Sequence, residues 1–510
     1  MAIESKHVKI ISIAVVILFI MSGTGPIFAQ IQSSSFTNPV NLSKTISDSA
    51  SPEMVSSPDG LFIVWEGTDS GRSNIFFSKS TNDGVTFDTP INLSGSVPGQ
   101  SSSPAIVQLD KNIYVVWQSS TSTNSTVLFT KSSDGGASFE KPGRLSEISK
   151  NSAFPEIALS GNHIYSSWIE KSNTNSTNII FSKSDDGGNS FQNPIPITNI
   201  AGNVGIPKLS ADGNQVFLIW EDNSKRNFDV FLSESNDYGT SFDTPLDVSN
   251  TLAQSGSPQI AISKNNLYAI WMDNTSGNYD ILFAKSNDGG KSFGKPINLS
   301  NFHEDSGYPV ISVSGNSVYV SWTQTMSDTN YDVFFAKSND GGETFAKPIN
   351  LSNNLGASGW PQLVSNGNNV YVNWVDGSPG KFDVLITKSN DGGISFEKPT
   401  NLSNTRNDSY YNKLAVSDKT VYNIWQEGQA GNRTISFSKS IEPGNQLSSQ
   451  LGSTTTNNPG HQPDSTQNNS VTLIIIGSLI AAGIVAIFVF FVKRKPRPSK
   501  QISPSEQKTK

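Results

Sequence analysis

Three aromatic side chains, Tyr308, Trp360 and Tyr411, stand at the same place in consecutive stretches of the chain, just before a recurrent proline or the residue that replaces it. A second recurrent place, two residues after a tryptophan, carries Glu170, Asp222, Asp273, Asp376 and Glu427, with Gly67, Ser119 and Gln324 in the other stretches. Rings beside carboxylates suit a sugar, whose C–H faces stack on aromatic platforms while its hydroxyls need acceptors. Tyr308, Trp360, Tyr411, Asp376 and Glu427 are therefore the candidate ligand-binding set. The plainer alternative is that the aromatics cover the end of a core and the carboxylates cap loop turns. The segments from Asp222 to Asp229 and from Asp273 to Asp280 are dense in Asp and Asn. Oxygen-rich loops of this kind can hold Ca²⁺, but their spacing is not that of an EF-hand, and turn chemistry accounts for them more cheaply. No other cofactor is called for.

Several chemistries are excluded at once. Cysteine is absent, which removes disulfides, thiolate metal sites and cysteine nucleophiles. The four histidines, His7, His163, His303 and His461, are too dispersed to read as a ligand cluster. The net charge is −7 and the basic residues are scattered, so no nucleic-acid surface is expected.

The elements that must position the candidates follow from two ladders in phase. Trp65, Trp117, Trp168, Trp220, Trp271, Trp322, Trp374 and Trp425 recur about 51 residues apart, a period in the range of propeller blades. Each closes an alternating run such as Val318-Tyr319-Val320-Ser321-Trp322, the mark of a half-buried strand. The second ladder, S-x-D-x-G-x-[S/T]-F, begins at Ser132, Ser184, Ser235, Ser286, Ser338 and Ser389, with a degenerate copy at Ser80 that has Asn82 for Asp. Its carboxylates, Asp134, Asp186, Asp237, Asp288, Asp340 and Asp391, suit a turn whose backbone N–H groups need acceptors, and its Phe anchors the turn in an apolar layer. A motif present in nearly every unit is scaffold, so no chemistry is assigned to it.

One unit divides into four strands at Pro309 to Val313, Val318 to Trp322, Asp332 to Ala336 and Phe345 to Leu351. Eight such units predict an all-β, eight-bladed propeller of four-stranded antiparallel blades; a β-solenoid is the weaker alternative. The last unit has strands near Lys413 to Val416, Val421 to Trp425 and Thr434 to Ser438 but no fourth, whereas Phe36 to Ser43 matches the fourth strand at Phe293 to Ser300 and has no predecessors. The N-terminal strand is thus predicted to complete the final blade and remove two open sheet edges. Chain direction places the motif turns on one face and the longer, variable loops on the other, where binding usually sits.

The motif and period resemble those of the sialidase-like β-propeller superfamily, with its Asp box or BNR repeat, from about Phe36 to Ser440. The resemblance implies an active site on the face opposite the Asp boxes. It implies three arginines for a substrate carboxylate, a Tyr nucleophile activated by Glu, and an Asp acid/base. Arg72, Arg406, Arg433, Tyr411, Glu427 and Asp48 are the best available match. The early Arg-Ile-Pro motif of that family is missing: the corresponding segments read Ser51-Pro52-Glu53 and Ser103-Pro104-Ala105. The expectation is a non-catalytic binding module for carbohydrate or a surface protein, with an exo-sialidase or other glycosidase as the alternative.

The chain ends speak to location. Residues 1–29 read as a secretory signal peptide, with Lys6 and Lys9 before an apolar run and a cleavage point after Ala29. Residues 442–470 are a polar stalk, and residues 471–492 form an uncharged apolar stretch long enough to cross a bilayer. The basic tail 493–510 follows, which predicts a single-pass type I membrane protein with an extracellular propeller, residues 36–441.

Overall fold

The structure, a computed structural model, describes residues 36–441 apart from 173–175, 226, 379 and 419. The proposed signal peptide, stalk, membrane span and tail lie outside the described residues.

Among the described residues thirty-two strands form eight four-stranded sheets. In blade one, β2 (Ser47–Ser57), β3 (Gly60–Asp69), β4 (Arg72–Ser80) and β5 (Ile91–Asn92) pair in order from the centre outwards, and the strands between Gln100 and Asn401 repeat this in blades two to seven. The final blade consists of β30 (Ser409–Ser417), β31 (Thr420–Glu427), β32 (Thr434–Lys439) and, on its outside, β1 (Val40–Asn41). Each innermost strand touches the innermost strands of both neighbouring blades, including β2 against β30, so the ring is closed.

The N-terminal segment completes the final blade as expected, with Val40 opposite Phe437, Asn41 opposite Ser436 and a bridge from Phe36 to Ser440. The fourth strands are shorter than predicted: the expected Phe345 to Leu351 contracts to Ile349–Asn350. The cause is Pro348, which has no N–H to give to a ladder. The segment is instead held at its ends, where Ala346 N donates to Lys337 O and Leu351 N to Val333 O, both at 2.8 Å.

The tryptophans of the ladder are fully buried in all eight blades. The apolar clusters lie between blades rather than within them; one joins Phe62, Val64 and Phe77 of blade one to Ile106, Val115 and Trp117 of blade two. The Asp-motif turns seal the same seams. Phe139 meets Phe77 of the preceding blade edge-on at 4.8 Å, and Phe87 meets Phe437 in the same way across the closure. Gly136, at φ +78°, presses against that Phe77 ring, where a Cβ would come within 2.7 Å. A lysine from the preceding blade reaches over each of several turns, as Lys79 Nζ does to Gly135 O (2.7 Å). Sequence reasoning passed over that lysine, although Lys precedes the motif Ser in most copies.

Candidate functional site

The site begins with a bulge. In blade six the ladder between the first two strands jumps from Gly307 to Val310, skipping Tyr308 and Pro309. Proline cannot donate, so the strand buckles, and the residue before it turns into the left-handed region. The same occurs at Ser51, Ser103, Phe154, Ser257, Tyr308, Trp360 and Tyr411, with φ between +50° and +54°. Tyr411 does so although Asn412 replaces proline; the Asn412 amide donates to Asn373 Oδ1 (2.6 Å). Blade four departs from the pattern, its first strand starting only at Lys208, after Ile206 and Pro207.

The backbone N–H freed by a bulge is taken by the side chain that follows the tryptophan of the preceding blade. Glu66 accepts from Ser103 N (2.7 Å), Glu221 from Ser257 N (2.6 Å), Gln118 from Phe154 N (3.4 Å) and Thr323 from Trp360 N (3.1 Å). Burial pushes the carboxyls of Glu66 and Glu221 up, against the pull of those N–H bonds.

Tyr308, Trp360 and Tyr411 are half-buried, at the start of the innermost strands of three consecutive blades. The rings of Tyr308 and Trp360 lie 5.9 Å apart at a tilt of 53°. Burial raises the pKa of both tyrosines; at Tyr411 the Arg433 charge works against this and Glu66 works with it.

Asp376 sits elsewhere in function. It is fully buried and accepts from Trp374 Nε1 (3.1 Å), Ser358 Oγ (2.8 Å), Asn354 Nδ2 (2.8 Å) and Ser378 N (2.9 Å), besides the Ser378 hydroxyl. With both oxygens spent on an indole and a turn it is a structural cap, which corrects its assignment to the ligand-binding set. Asp222 caps Trp220 in the same way (3.0 Å), and Asp273 accepts from Ser255 Oγ (2.8 Å), so these loops use their oxygens internally. Among the described residues no group of three or more His, Asp or Glu is placed to hold a metal ion. Glu427 is half-buried and accepts from Ser436 Oγ (3.1 Å).

The arginines divide. Arg433 is held by Asp48 in a two-pronged pair, Nε to Oδ1 and Nη2 to Oδ2, each 2.7 Å, and the guanidinium keeps the Asp48 carboxyl below its usual range. Arg72 spends its guanidinium on Val97 O, Gly95 O and Asn74 Oδ1, within blade one and the loop that leaves it. Arg406 is exposed on the loop after blade seven. Of the three, Arg433 is the one whose charge acts on Tyr411, and the carboxylate acting on Tyr411 is Glu66, where Glu427 was expected. Glu66 escaped sequence reasoning because the position after the ladder tryptophan varies in type from blade to blade.

The motif aspartates make turns. Asp288 accepts from Ser286 Oγ (2.7 Å), Ser292 N (3.0 Å) and Ser292 Oγ (2.6 Å). These bonds to the charged form lower the pKa of all six; those of Asp237 and Asp288 fall to about 2. Asn82 keeps the geometry without charge, accepting from Ser80 Oγ and Thr86 N, each at 2.9 Å.

No protein-family model matches the chain, and no curated protein matches it. Solved structures do resemble it in fold. The polysaccharide lyase Uly1 superposes with a TM-score of 0.46 at 11% identity, over 79% of this chain and 91% of that one. A polysaccharide lyase, an ulvan lyase bound to -[GlcA(1-4)Rha3S]-, gives 0.46 at 10% identity, over 72% and 96%. A leech intramolecular trans-sialidase gives 0.38 at 12% identity, over 79% and 93%. These likenesses are of fold.

Proposed function

We propose that this protein is a surface-displayed carbohydrate-binding propeller, anchored by residues 471–492 and engaging its ligand through Tyr308, Trp360 and Tyr411 at the mouth of the channel. One observation carries the reading. The bulge position accepts serine in blades one, two and five at the same left-handed φ, so the fold does not require a ring there. A bulky side chain in that conformation costs on the order of 1–3 kcal/mol. Three such rings on adjacent blades are therefore explained better by what they touch than by the backbone they sit on. Stacking adds about 1 kcal/mol per ring beyond area burial, so affinity is modest and rises with the number of copies on a surface. A surface protein is the other partner class this arc fits; nucleic acid is not, given the acidic net charge.

The test is Trp360→Ser, which installs the residue that sibling blades use, assayed on a glycan array alongside a thermal melt. Loss of glycan binding with an unchanged melt is expected. A variant that unfolds makes the arc part of the core and removes the reading.

Glycoside hydrolysis is the second reading, favoured by Tyr411 lying in the field of both Arg433 and the half-buried Glu66. A Tyr–Glu pair can form a covalent glycosyl intermediate, and a guanidinium can hold a carboxylate. Here Arg433 is already matched by Asp48, which leaves little of its fork for a substrate. Hydrolysis of a sialoside by the purified chain, abolished by Tyr411→Phe, would replace the binding reading with this one.

A further inference from the structure

One recurrent tripeptide has no part in the aromatic arc. N-x-[S/T], with x other than proline, is the acceptor sequence for N-linked glycan in an exported chain, and nine copies begin at described residues. A transferase reads the tripeptide at both ends, so the asparagine amide and the hydroxyl two residues on must both be left unused by the fold.

Five copies are the Asn-Leu-Ser that ends a fourth strand, and the blade consumes them. In each the serine hydroxyl accepts a backbone N–H of the third strand: Ser43 from Ile435, Ser94 from Ile75, Ser300 from Ile281, Ser352 from Val333 and Ser403 from Val384, at 2.9–3.0 Å. The asparagine is spent as well in three of them, with Nδ2 of Asn298, Asn350 and Asn401 donating to Asp280, Asp332 and Asp383, each at 2.8 Å. Two further copies fail at one end or both. Asn407 is exposed, but the Ser409 side chain two residues on is fully buried. Asn274 Oδ1 accepts from Gln254 N (2.9 Å), and the Ser276 hydroxyl donates to Asp280 (2.7 Å).

Asn124-Ser125-Thr126 and Asn432-Arg433-Thr434 remain. Asn432 is exposed and Asn124 half-buried, and neither their side-chain amides nor the hydroxyls of Thr126 and Thr434 bond to any described residue. Each stands at the end of a loop from a second strand to a third. Both loops are fixed from within, Thr121 N donating to Asn124 O and Gly431 N to Asp48 Oδ1, each at 2.8 Å. Because the motif turns join third strands to fourth, both asparagines lie on the opposite face, and Asn432 adjoins Arg433, whose charge acts on Tyr411.

We infer that Asn124 and Asn432 are N-glycosylation sites and that the other seven tripeptides are scaffold. The inference rests on the reading that residues 36–441 are exported, and not on what the arc binds. The co-substrate is a lipid-linked oligosaccharide whose anomeric carbon is bonded to a phosphate oxygen. Asn Nδ2 attacks that carbon, an N–C bond forms and the C–O bond breaks; the electron pair leaves with the lipid phosphate and the amide gives up one proton.

The experiment is peptide mapping by mass spectrometry of the full chain purified from the membranes of the cells that produce it. The peptides that hold Asn124 and Asn432 are expected to be heavier by the mass of an oligosaccharide, and those that hold Asn274, Asn298, Asn350, Asn401 and Asn407 to have the mass of the bare sequence. Asn124→Gln and Asn432→Gln should each remove one of the two mass increments and leave the thermal melt unchanged, whereas Asn298→Gln should lower the melt and leave both increments. The same map reads the first residue of the chain. A chain that starts after Ala29 but is bare at either asparagine overturns the inference and leaves export standing; one that retains residues 1–29 and carries no glycan overturns both. Glycan at Asn298 or Asn407 overturns the sorting, as does a lower melt for Asn432→Gln.

Discussion

The closing segment tests the architecture most sharply, because eight residues staple two seams at once. Phe36 packs with Val384, Ile386 and Trp425 between blades seven and eight, and Leu42 packs with Trp65, Ile424 and Phe437 between blades eight and one. They are 6% and 8% exposed. Truncating a buried Phe costs about 3–5 kcal/mol and a buried Leu about 2–5 kcal/mol, from lost transfer energy plus the cavity left behind. The two side chains share no cluster, so the costs add, to about 5–10 kcal/mol for Phe36→Ala with Leu42→Ala. That is comparable with the entire stability of an ordinary domain, about 5–15 kcal/mol. The backbone bonds of the strand, Thr37 N to Lys439 O and Leu42 N to Ile435 O at 2.8 Å, remain in the variant, so the measurement isolates packing. Urea unfolding followed by tryptophan fluorescence, which the eight buried indoles make sensitive, gives each single and the double variant. Midpoints that fall in both singles and fall further in the double support closure. A double variant with the parent's midpoint would refute it.

Other outcomes follow from the same contacts. Gly136→Ala is expected to cost at least about 1 kcal/mol, since the new Cβ meets the Phe77 ring and φ is +78°; a melting curve checks this. Asp376→Ala should cost about 1–3 kcal/mol for the buried donors it strands, Trp374 Nε1 among them, and the denaturation midpoint reads it. Lys413→Met leaves Glu53 without its 2.9 Å partner and should destabilise by about 3–5 kcal/mol, with recovery when Glu53→Gln is added in a double-mutant cycle. The motif aspartates have folded pKa values below their unfolded value of about 3.9, so their contribution is fully present above that pH and is lost as pH falls toward about 2. Urea midpoints between pH 5 and pH 2 should drop for the parent and drop less for Asp288→Asn, which copies the Asn82 turn.

The blade number and the circular closure were legible in the sequence, because each rests on local chemistry repeated at a constant interval. A tryptophan every 51 residues or so and a strand without predecessors at Phe36 leave few ways to arrange the chain. What the repeat could not convey was the consequence of its exceptions. Pro309 and its counterparts announce a break in a ladder, but that the break throws Tyr308, Trp360 and Tyr411 into left-handed backbone appears only when a neighbouring strand fixes the register. Asp376 and Glu427 occupy the same repeat position, yet one is consumed by an indole and a turn while the other stays half-buried, a difference set by the loops packed above them. Pairings across blades lay furthest from reach. Tyr411 with Glu66, and Glu53 and Glu156 with lysines of other blades, join residues that are distant in the chain. Only the closure of the ring, which brings eight innermost strands around one channel, makes them neighbours.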